Sequence, residues 1–157
     1  MPIDDARFKQ AMSQFASGVT VVTTEHEGTR YGMTVASFAS LSLHPPLVIV
    51  CIEQAVKTHD AIAGAGRFGV SILAQSQADI SGRFASKKID DKFEGVDVVT
   101  TEGVPLIGGA ICTLACRVHA QLPGGDHSIF VGEVLEAEVS DAAPPLVYFR
   151  SGYRELT

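Results

Sequence analysis

The spacing of apolar side chains predicts a helix near the start of the chain. Apolar residues recur there at helical intervals directly after Asp4 and Asp5, either of which can cap a helix through its carboxylate. Gly18 stands where the C-terminal glycine of such a helix is expected. The apolar face of this predicted helix consists of Phe8, Ala11, Met12 and Phe15.

Segments rich in β-branched and other apolar residues predict about seven strands. Gly28, within Glu25–Thr29, indicates the turn of a hairpin, and Pro123–Asp126 joins the two longest segments. The predicted strands are Val19–Thr24, Tyr31–Phe38, Leu47–Ile52, Arg67–Leu73, Ile111–Leu122, His127–Val139 and Leu146–Phe149, the last of which leads into a C-terminal tail.

Two further helices are predicted, at Thr58–Ala65 and Gln75–Ala85. The charged segment Lys87–Glu94 is expected at the surface, and Gly103–Gly109 is expected to be a loop. Strands and helices do not alternate regularly, which disfavours a doubly wound parallel sheet. We therefore predict a mainly β fold, a mostly antiparallel β-barrel with peripheral helices.

Composition narrows the class of protein. The chain has 157 residues, of which 46% are hydrophobic, enough for one domain spanning residues 1–157 to bury a core. A net charge of −6 without a basic run disfavours nucleic acid and anionic membranes as partners. No apolar segment approaches the roughly 18 residues of a membrane span. The N-terminus does not resemble a signal peptide, so the expected location is the cytoplasm.

The three cysteines do not form a disulfide framework. Cys112 and Cys116 fall on the same face of a predicted strand, where residues four apart are separated by about 13 Å. A disulfide needs Cα atoms within about 4.4–6.8 Å. We therefore expect ordinary core cysteines, and no metal site is expected because the five histidines lack ligand spacing.

Nucleotide-binding and nucleophile motifs are also unsupported. A Gly-x-Gly-x-x-Gly pattern occurs once, at Gly64, Gly66 and Gly69, but it leads into a predicted strand instead of following one. The chain contains neither a P-loop nor a Gly-x-Ser-x-Gly elbow. These motifs therefore supply no candidate nucleophile or phosphate-binding loop.

Three segments remain as candidates for chemistry, each with an ordinary structural alternative. Gly32–Ser42 combines small residues, which let a ligand approach the backbone, with hydroxyl residues, which can bind phosphate oxygens. The alternative is that this segment is an ordinary polar strand end. In Gly124–Ser128, Asp126 could orient His127 toward a ligand, or the segment is only a hairpin turn. The aromatic residues of Pro145–Tyr153 suit a cofactor, the core or an interface.

Three charged residues stand apart from their surroundings. Lys57 and Arg83 could neutralise a phosphate or another anionic group, or they are solvated surface charges. Glu133 shares a strand face with apolar residues, so it could pair with a cation, meet a partner subunit or lie at a barrel rim. The apolar residues on that face are Ile129, Val131, Leu135, Ala137 and Val139.

Taken together, these segments resemble the flavin reductase-like domain family, and the resemblance spans nearly the whole chain. It rests on many short motifs in the same order along the sequence. They are Phe8, Phe15–Thr24, Gly32–Phe38, Ser40–Ser42, Pro45–Val48, Lys57–His59, Phe68–Leu73, Phe84–Ala85, Gly125–His127, Gly132–Val134, Tyr148–Phe149 and Gly152–Tyr153.

The resemblance implies an FMN-binding split barrel that forms a homodimer with sites near the subunit interface. It implies an NAD(P)H:flavin oxidoreductase that passes hydride from the nicotinamide to FMN or FAD. The reduced flavin would then diffuse to a partner monooxygenase component. Two alternatives stay open: an electron carrier or oxidase with tightly bound flavin, and a non-catalytic flavin-binding domain.

The resemblance also implies roles for individual residues. His127 of the Gly-Asp-His motif and the aromatic C-terminal segment would bind the nicotinamide nucleotide; that segment contributes Tyr148, Phe149, Gly152 and Tyr153. Three other segments would hold the flavin; they contribute Thr34, Val35, Ala36, Ser37, Phe38, Ser40 and Leu41, then Glu53, Ala55, Val56, Lys57 and Thr58, and finally Arg83, Phe84 and Ala85.

Two departures from the family pattern affect these expectations. Ala55-Val56 replaces the Ser-Ser that often precedes the basic residue, so only backbone hydrogen bonds are expected there. Gly69-Val70-Ser71 stands where Val-Asn commonly follows the phenylalanine.

Overall fold

Three α-helices and twelve strands form the fold in the computed structural model, which describes residues 1–156. The helices are α1 (Asp5–Met12), α2 (Lys57–Ala65) and α3 (Ala78–Ala85), and a short 3-10 turn, Gln75–Gln77, precedes α3. The strands are β1 (Ser17–Gly18), β2 (Thr20–His26), β3 (Thr29–Val35), β4 (Phe38–Ser42), β5 (Leu47–Glu53), β6 (Arg67–Ile72), β7 (Val98–Thr101), β8 (Val104–Ile107), β9 (Cys112–Gly124), β10 (His127–Val139), β11 (Val147–Phe149) and β12 (Gly152–Arg154).

Seven strands form one sheet in the order β3-β2-β6-β9-β10-β5-β4, and every neighbouring pair is antiparallel. A flat sheet of this size would hold its edges roughly 29 Å apart, six steps of about 4.8 Å. The edge strands β3 and β4 follow each other in sequence, and the chain from Val35 to Phe38 reaches at most about 11 Å. The sheet must therefore roll into a barrel, split between β3 and β4, which confirms the predicted fold class.

The barrel encloses one core, and a second core lies on its outer surface. Val22 of β2 belongs to the inner cluster, together with Phe68 and Phe130, which are fully buried. The adjacent Val21 belongs to the outer cluster with Phe84 of α3. Because successive strand residues face opposite sides, β2 is covered by apolar groups on both faces.

One close approach inside the barrel requires glycine. A Cβ built on Gly132 of β10 would collide with the ring of Phe68, and it would lie 2.9 Å from the Cβ of Cys116. Phe68 and Cys116 are themselves almost completely buried, so neither can move aside. Gly132 therefore lets β10 pass directly over the Phe68 ring.

The N-terminal helix is shorter than predicted. Asp4 caps α1 by accepting a hydrogen bond from the backbone N–H of Arg7 at 2.8 Å, as expected for one of the two aspartates. The helix ends at Met12, however, and Gly18 lies in β1, paired with Val147, so its assignment as the helix C-terminal glycine is wrong.

Two segments predicted as irregular form strands. The prediction that Gly103–Gly109 is a loop is wrong, because Val104–Ile107 forms the buried strand β8. This strand pairs with β7 around a turn at Glu102-Gly103. The C-terminal tail likewise forms β12 and pairs with β11. A third difference is that Tyr31–Phe38 is interrupted: β3 ends at Val35 and β4 begins at Phe38.

Glu133 pairs with a cation of its own chain. Arg117 lies directly opposite it on β9, and the guanidinium donates to the carboxylate at 3.1 Å. The face of β10 that enters the core carries Phe130 and Val134, and the Glu133 face is the outer one. A half-exposed carboxylate with a cross-strand partner therefore accounts for this residue.

All three cysteines are free, and Cys116 is buried in the inner core, as the strand spacing predicts. Within residues 1–156, no helix combines the length and the apolar character that crossing a membrane needs.

Candidate functional site

The gap between β3 and β4 carries small, exposed residues. Ala36 and Ser37 lie between the two strands and are exposed. The Ser37 hydroxyl donates to the carbonyl oxygen of Cys51 at 3.0 Å, and the Cys51 N–H donates to the Ser37 carbonyl at 3.1 Å. These two bonds attach the gap to β5, two residues before β5 ends at Glu53.

The segment after β5 lies against the start of β10. Glu53 and His127 are directly opposite each other in the β5–β10 ladder. Gln54 then makes two bonds: its N–H donates to the Asp126 carbonyl at 2.9 Å, and its side-chain amide donates to the His127 carbonyl at 3.0 Å. The structure thereby brings the predicted flavin segment Glu53–Thr58 next to the predicted nicotinamide residue.

His127 is half-exposed and oriented by its neighbour. Gly125, with a φ of 64°, allows the tight turn between β9 and β10. The Asp126 carboxylate accepts a hydrogen bond from His127 Nδ1 at 2.7 Å, and this contact holds the pKa of Asp126 below its usual value. Nε2 has no hydrogen-bond partner among residues 1–156, so it is available to a ligand.

The end of α3 is organised by a surface loop. Arg83 donates through Nε to the Lys92 carbonyl at 2.6 Å and through Nη2 to the Asp91 carbonyl at 2.8 Å. Lys92 in turn donates to the Phe84 carbonyl at 3.0 Å, and partial burial lowers the pKa of Lys92. The Arg83 guanidinium is thus committed to backbone carbonyls, which limits its use as a counter-charge for a ligand.

The C-terminal hairpin packs beside α3. The hydroxyl groups of Tyr153 and Ser81 are 2.7 Å apart, and Thr34 donates to the Ser81 carbonyl at 2.6 Å. Tyr148 and Tyr153 contact each other edge-on at 5.6 Å between ring centroids. The aromatic residues predicted for the nicotinamide therefore lie at the Thr34 end of the β3–β4 crossover, whereas His127 lies toward its Ser37 end.

Burial separates the predicted residues by what they can offer a ligand. Val35 and Phe84 belong to the two cores, so these positions can contribute only backbone atoms. Thr58 is also buried. Eight are half-buried: Thr34, Phe38, Glu53, Val56, Arg83, His127, Phe149 and Gly152. The others are exposed: Ala36, Ser37, Ser40, Leu41, Ala55, Lys57, Ala85, Tyr148 and Tyr153.

Several residues that organise this region were missed from the sequence. Gln54, Ser81, His59 and Ser128 each bond to a predicted segment or its neighbour. His59 is the last residue of the motif Lys57–His59 and Ser128 is the last residue of the candidate segment Gly124–Ser128, but the sequence assigned a role to neither side chain. The bonds they make join residues far apart in sequence, which no local pattern contains.

A family model described as the flavin reductase like domain matches residues 12–157. The chain belongs to this flavin reductase family. It is 43% identical over 153 residues to the reductase component of 4-hydroxyphenylacetate 3-monooxygenase from Thermus thermophilus, covering 95% of each protein. It is 42% identical over 151 residues to an NADH-dependent flavin reductase from a Rhodococcus species, covering 94% of this chain and 84% of the relative.

A solved structure of the same family extends the match to three dimensions. The NADH:FAD oxidoreductase SgcE6 of Streptomyces globisporus, in complex with NAD and FAD fragments, superimposes with a TM-score of 0.93 at 36% identity. The alignment covers 98% of this chain and 93% of that one. The fold described above is therefore that of flavin reductases.

The residues present fit the flavin that this family uses. The crossover from β3 to β4 exposes backbone and hydroxyl groups without large side chains, which suits close approach of a ligand. Lys57 is exposed and forms no ion pair with any of residues 1–156, so its charge is free for an anionic group. At Ala55-Val56 neither side chain carries a hydroxyl, and Val56 packs against the inner core.

Proposed function

We propose that this flavin reductase transfers hydride from NAD(P)H to FMN or FAD and supplies the reduced flavin to a partner monooxygenase component. The observation that carries the proposal is the pairing of Glu53 with His127, which sets the flavin segment beside the nicotinamide segment. The named reductase components among its relatives support the same activity.

The flavin would be held by three parts of the chain. Thr34–Leu41 would line it with backbone groups and with the hydroxyls of Ser37 and Ser40. Glu53–Thr58 would lie along the ring, and Lys57 would face its polar edge. At the end of α3, the backbone of Arg83–Ala85 would take the far end of the flavin, because the Phe84 side chain is buried and the Arg83 guanidinium is committed elsewhere.

The nicotinamide nucleotide would be positioned by His127. Its Nδ1 is held by Asp126, so the ring presents Nε2 in one orientation, suited to an amide or a ring edge. Tyr148, Phe149, Gly152 and Tyr153 would cover the cleft from the Thr34 end.

A flavin bound in this cleft would supply the hydride acceptor. The chain's task is to hold two rings within about 3–3.5 Å, and this alignment accounts for much of the rate. Lys57 and nearby N–H groups would stabilise negative charge that develops at the flavin edge. No side chain is required as a general acid, which agrees with the lack of a catalytic dyad in the motifs.

We further propose that the chain acts as a single domain and as a homodimer. No residue of α1 is buried: Phe8 and Met12 are 54% and 55% exposed, and Phe15, three residues after the helix, is 80% exposed. Apolar side chains aligned on one helix are unfavourable in water and are suited to covering by a second copy. Three free cysteines and the need for NAD(P)H support the proposal that the activity is cytoplasmic.

The test is consumption of reduced nicotinamide, followed by the loss of its absorbance, with no flavin, FMN or FAD. We expect turnover with NADH or NADPH that depends on added flavin. Flavin that stays bound through gel filtration and is reduced only slowly in stopped flow would indicate an electron carrier. Absence of turnover and of flavin uptake under all these conditions would leave a non-catalytic domain.

A further inference from the structure

A buried pair of polar side chains joins α2 to β10. His59, in the first turn of α2, is 8% exposed, and Ser128 of β10 is 3% exposed. The imidazole Nε2 and the Ser128 Oγ are 2.8 Å apart. Among the hydrogen bonds between side chains of residues 1–156, this is the one in which both residues are buried; the buried Ser81 hydroxyl bonds to Tyr153, which is exposed.

The tautomer of the His59 ring follows from its second contact. The Asp60 carboxylate can only accept a hydrogen bond, and it lies 2.9 Å from His59 Nδ1. Nδ1 therefore carries a proton, and in the neutral ring Nε2 accepts from the Ser128 hydroxyl. The edge of the Phe130 ring, 5.2 Å away between centroids, fixes the imidazole from the core side.

Both ends of this bond adjoin the proposed cleft. Lys57 and Thr58 precede His59 in the same helical turn, and His127 precedes Ser128 in the strand. Since successive strand residues face opposite sides, Ser128 points into the core while His127 points out of it. With the two bonds from Gln54 to Asp126 and His127, the pair forms a three-bond connection between the segments.

We propose that His59 and Ser128 are positioning residues that set the distance between the flavin segment at Lys57–Thr58 and the nicotinamide-binding ring of His127. This inference rests on the proposed function. Burying two polar groups is costly unless they bond to each other, and an apolar pair would fill the same space without that cost. The bond provides a fixed direction, which an apolar contact lacks, at the place where two rings must align.

The first experiment compares Ser128→Ala with Ser71→Ala in the cofactor-free protein. Ser71 is a matched control because it is also a fully buried strand serine with one hydrogen bond, to the N–H of Ile107 at 3.0 Å. Hydrogen exchange followed by mass spectrometry should show faster exchange at Gln54 and around Gly125–Ile129 in Ser128→Ala. Ser71→Ala should leave exchange in those peptides unchanged; equal changes in both variants would overturn the inference.

The second experiment measures the KM for NADH and the Kd for flavin. Ser128→Ala should raise KM about fivefold, the effect of one lost hydrogen bond, with the flavin Kd within about twofold of wild type. In a His127→Ala background, Ser128→Ala should have no further effect on KM, because it acts through His127. An equal effect of Ser128→Ala in both backgrounds would overturn the inference.

Variants at His59 keep the test usable if Ser128→Ala does not fold. His59→Gln retains an acceptor for the Ser128 hydroxyl and should preserve KM, whereas His59→Leu removes it and should raise KM; equal KM values for the two would overturn the inference.

If His127→Ala raises KM and Ser128→Ala does not, the inference fails and the proposed function stands. If His127→Ala leaves KM unchanged, the nicotinamide role of His127 fails, and the inference fails with it.

Discussion

Glu53 and His127 lie directly opposite each other, as the last residue of β5 and the first residue of β10. This register decides what the cleft presents to a ligand. A slip of one residue would turn every side chain of the strand to the other face. His127 would then enter the core and Ser128 would face the solvent. The function proposed for His127 therefore depends on a pairing between residues distant in sequence.

Replacement of His127 by alanine tests the nicotinamide site. We expect His127→Ala to raise the KM for NADH about five- to tenfold, since a hydrogen bond and a ring contact are lost. The flavin Kd should change little. His119→Ala is the control, because His119 is a histidine of the same β9–β10 hairpin that is exposed and lies outside the predicted site. Unchanged steady-state kinetics in His127→Ala would remove this residue from the site.

Replacement of Ser37 tests the flavin site. Ser37→Ala removes a hydroxyl from the β3–β4 crossover and the bond that ties the crossover to Cys51. We expect the flavin Kd, measured by fluorescence quenching, to increase about three- to tenfold. Ser76→Ala, at an exposed serine of the 3-10 turn, should not alter it. The same Kd in both variants would count against the crossover as a flavin contact.

Two glycine substitutions should change stability in opposite directions. Gly132→Ala places a methyl group against the buried Phe68 ring and should reduce the free energy of unfolding by about 1–3 kcal/mol. Gly82→Ala adds a methyl group to an exposed position of α3 with no atom within 4 Å, and should increase it by about 0.5–1 kcal/mol. Urea denaturation of both variants measures the difference, and a stabilised Gly132→Ala would contradict the packing.

Thiol labelling tests the burial of Cys116. Burial raises the pKa of Cys116 to about 12, from an ordinary 9.0. The folded protein therefore keeps this thiol protonated at pH values where it ionises in the unfolded chain. At pH 9 only about one Cys116 in a thousand would be a thiolate. We expect iodoacetamide to label Cys116 only after denaturation, as measured by peptide mass spectrometry. Rapid labelling of the native protein would contradict the predicted burial.

Self-association tests the apolar face of α1. A homodimer that covers this face and the adjacent Phe15 should lose affinity when Met12 and Phe15 are both replaced by serine, because their apolar surface is then no longer buried. Val139→Ser is the control, since Val139 is 79% exposed at the far end of β10. Sedimentation velocity should detect dimers for wild type and Val139→Ser and monomers for the double variant. A monomeric wild type would refute the proposed dimer.

Local patterns were sufficient for most elements. The hairpin β2–β3 follows from a β-branched run and a turn with Gly28, and the long hairpin β9–β10 follows from two alternating segments around Gly125. Both hairpins join strands that are neighbours in sequence, so the local residue types are enough to predict them. The hairpin β7–β8 was missed because Pro105 and the glycines around it suggest a loop. The segment forms a strand because β8 is buried against β2 and β6, contacts that the local sequence does not show.

The flavin reductase motifs predicted the segments of the proposed site, but not what each side chain contacts there. Phe84 was expected beside the flavin, and its ring instead packs against Phe93 in the outer core, 5.0 Å between centroids. Arg83 was expected to be an isolated cation, and it is bound by the carbonyls of Asp91 and Lys92. In both cases the partner lies in the charged segment Lys87–Glu94, which the sequence predicts only to be at the surface.

The sequence by itself determined most of the strands, the three helices and the family, because propensity, turn chemistry and motif order act over a few residues. The tertiary structure decided that Glu53 faces His127, that His59 bonds to Ser128 across 69 positions, and that Tyr153 is held by Ser81. Contacts of this kind form only when the barrel closes, since closure alone brings distant segments within hydrogen-bonding distance.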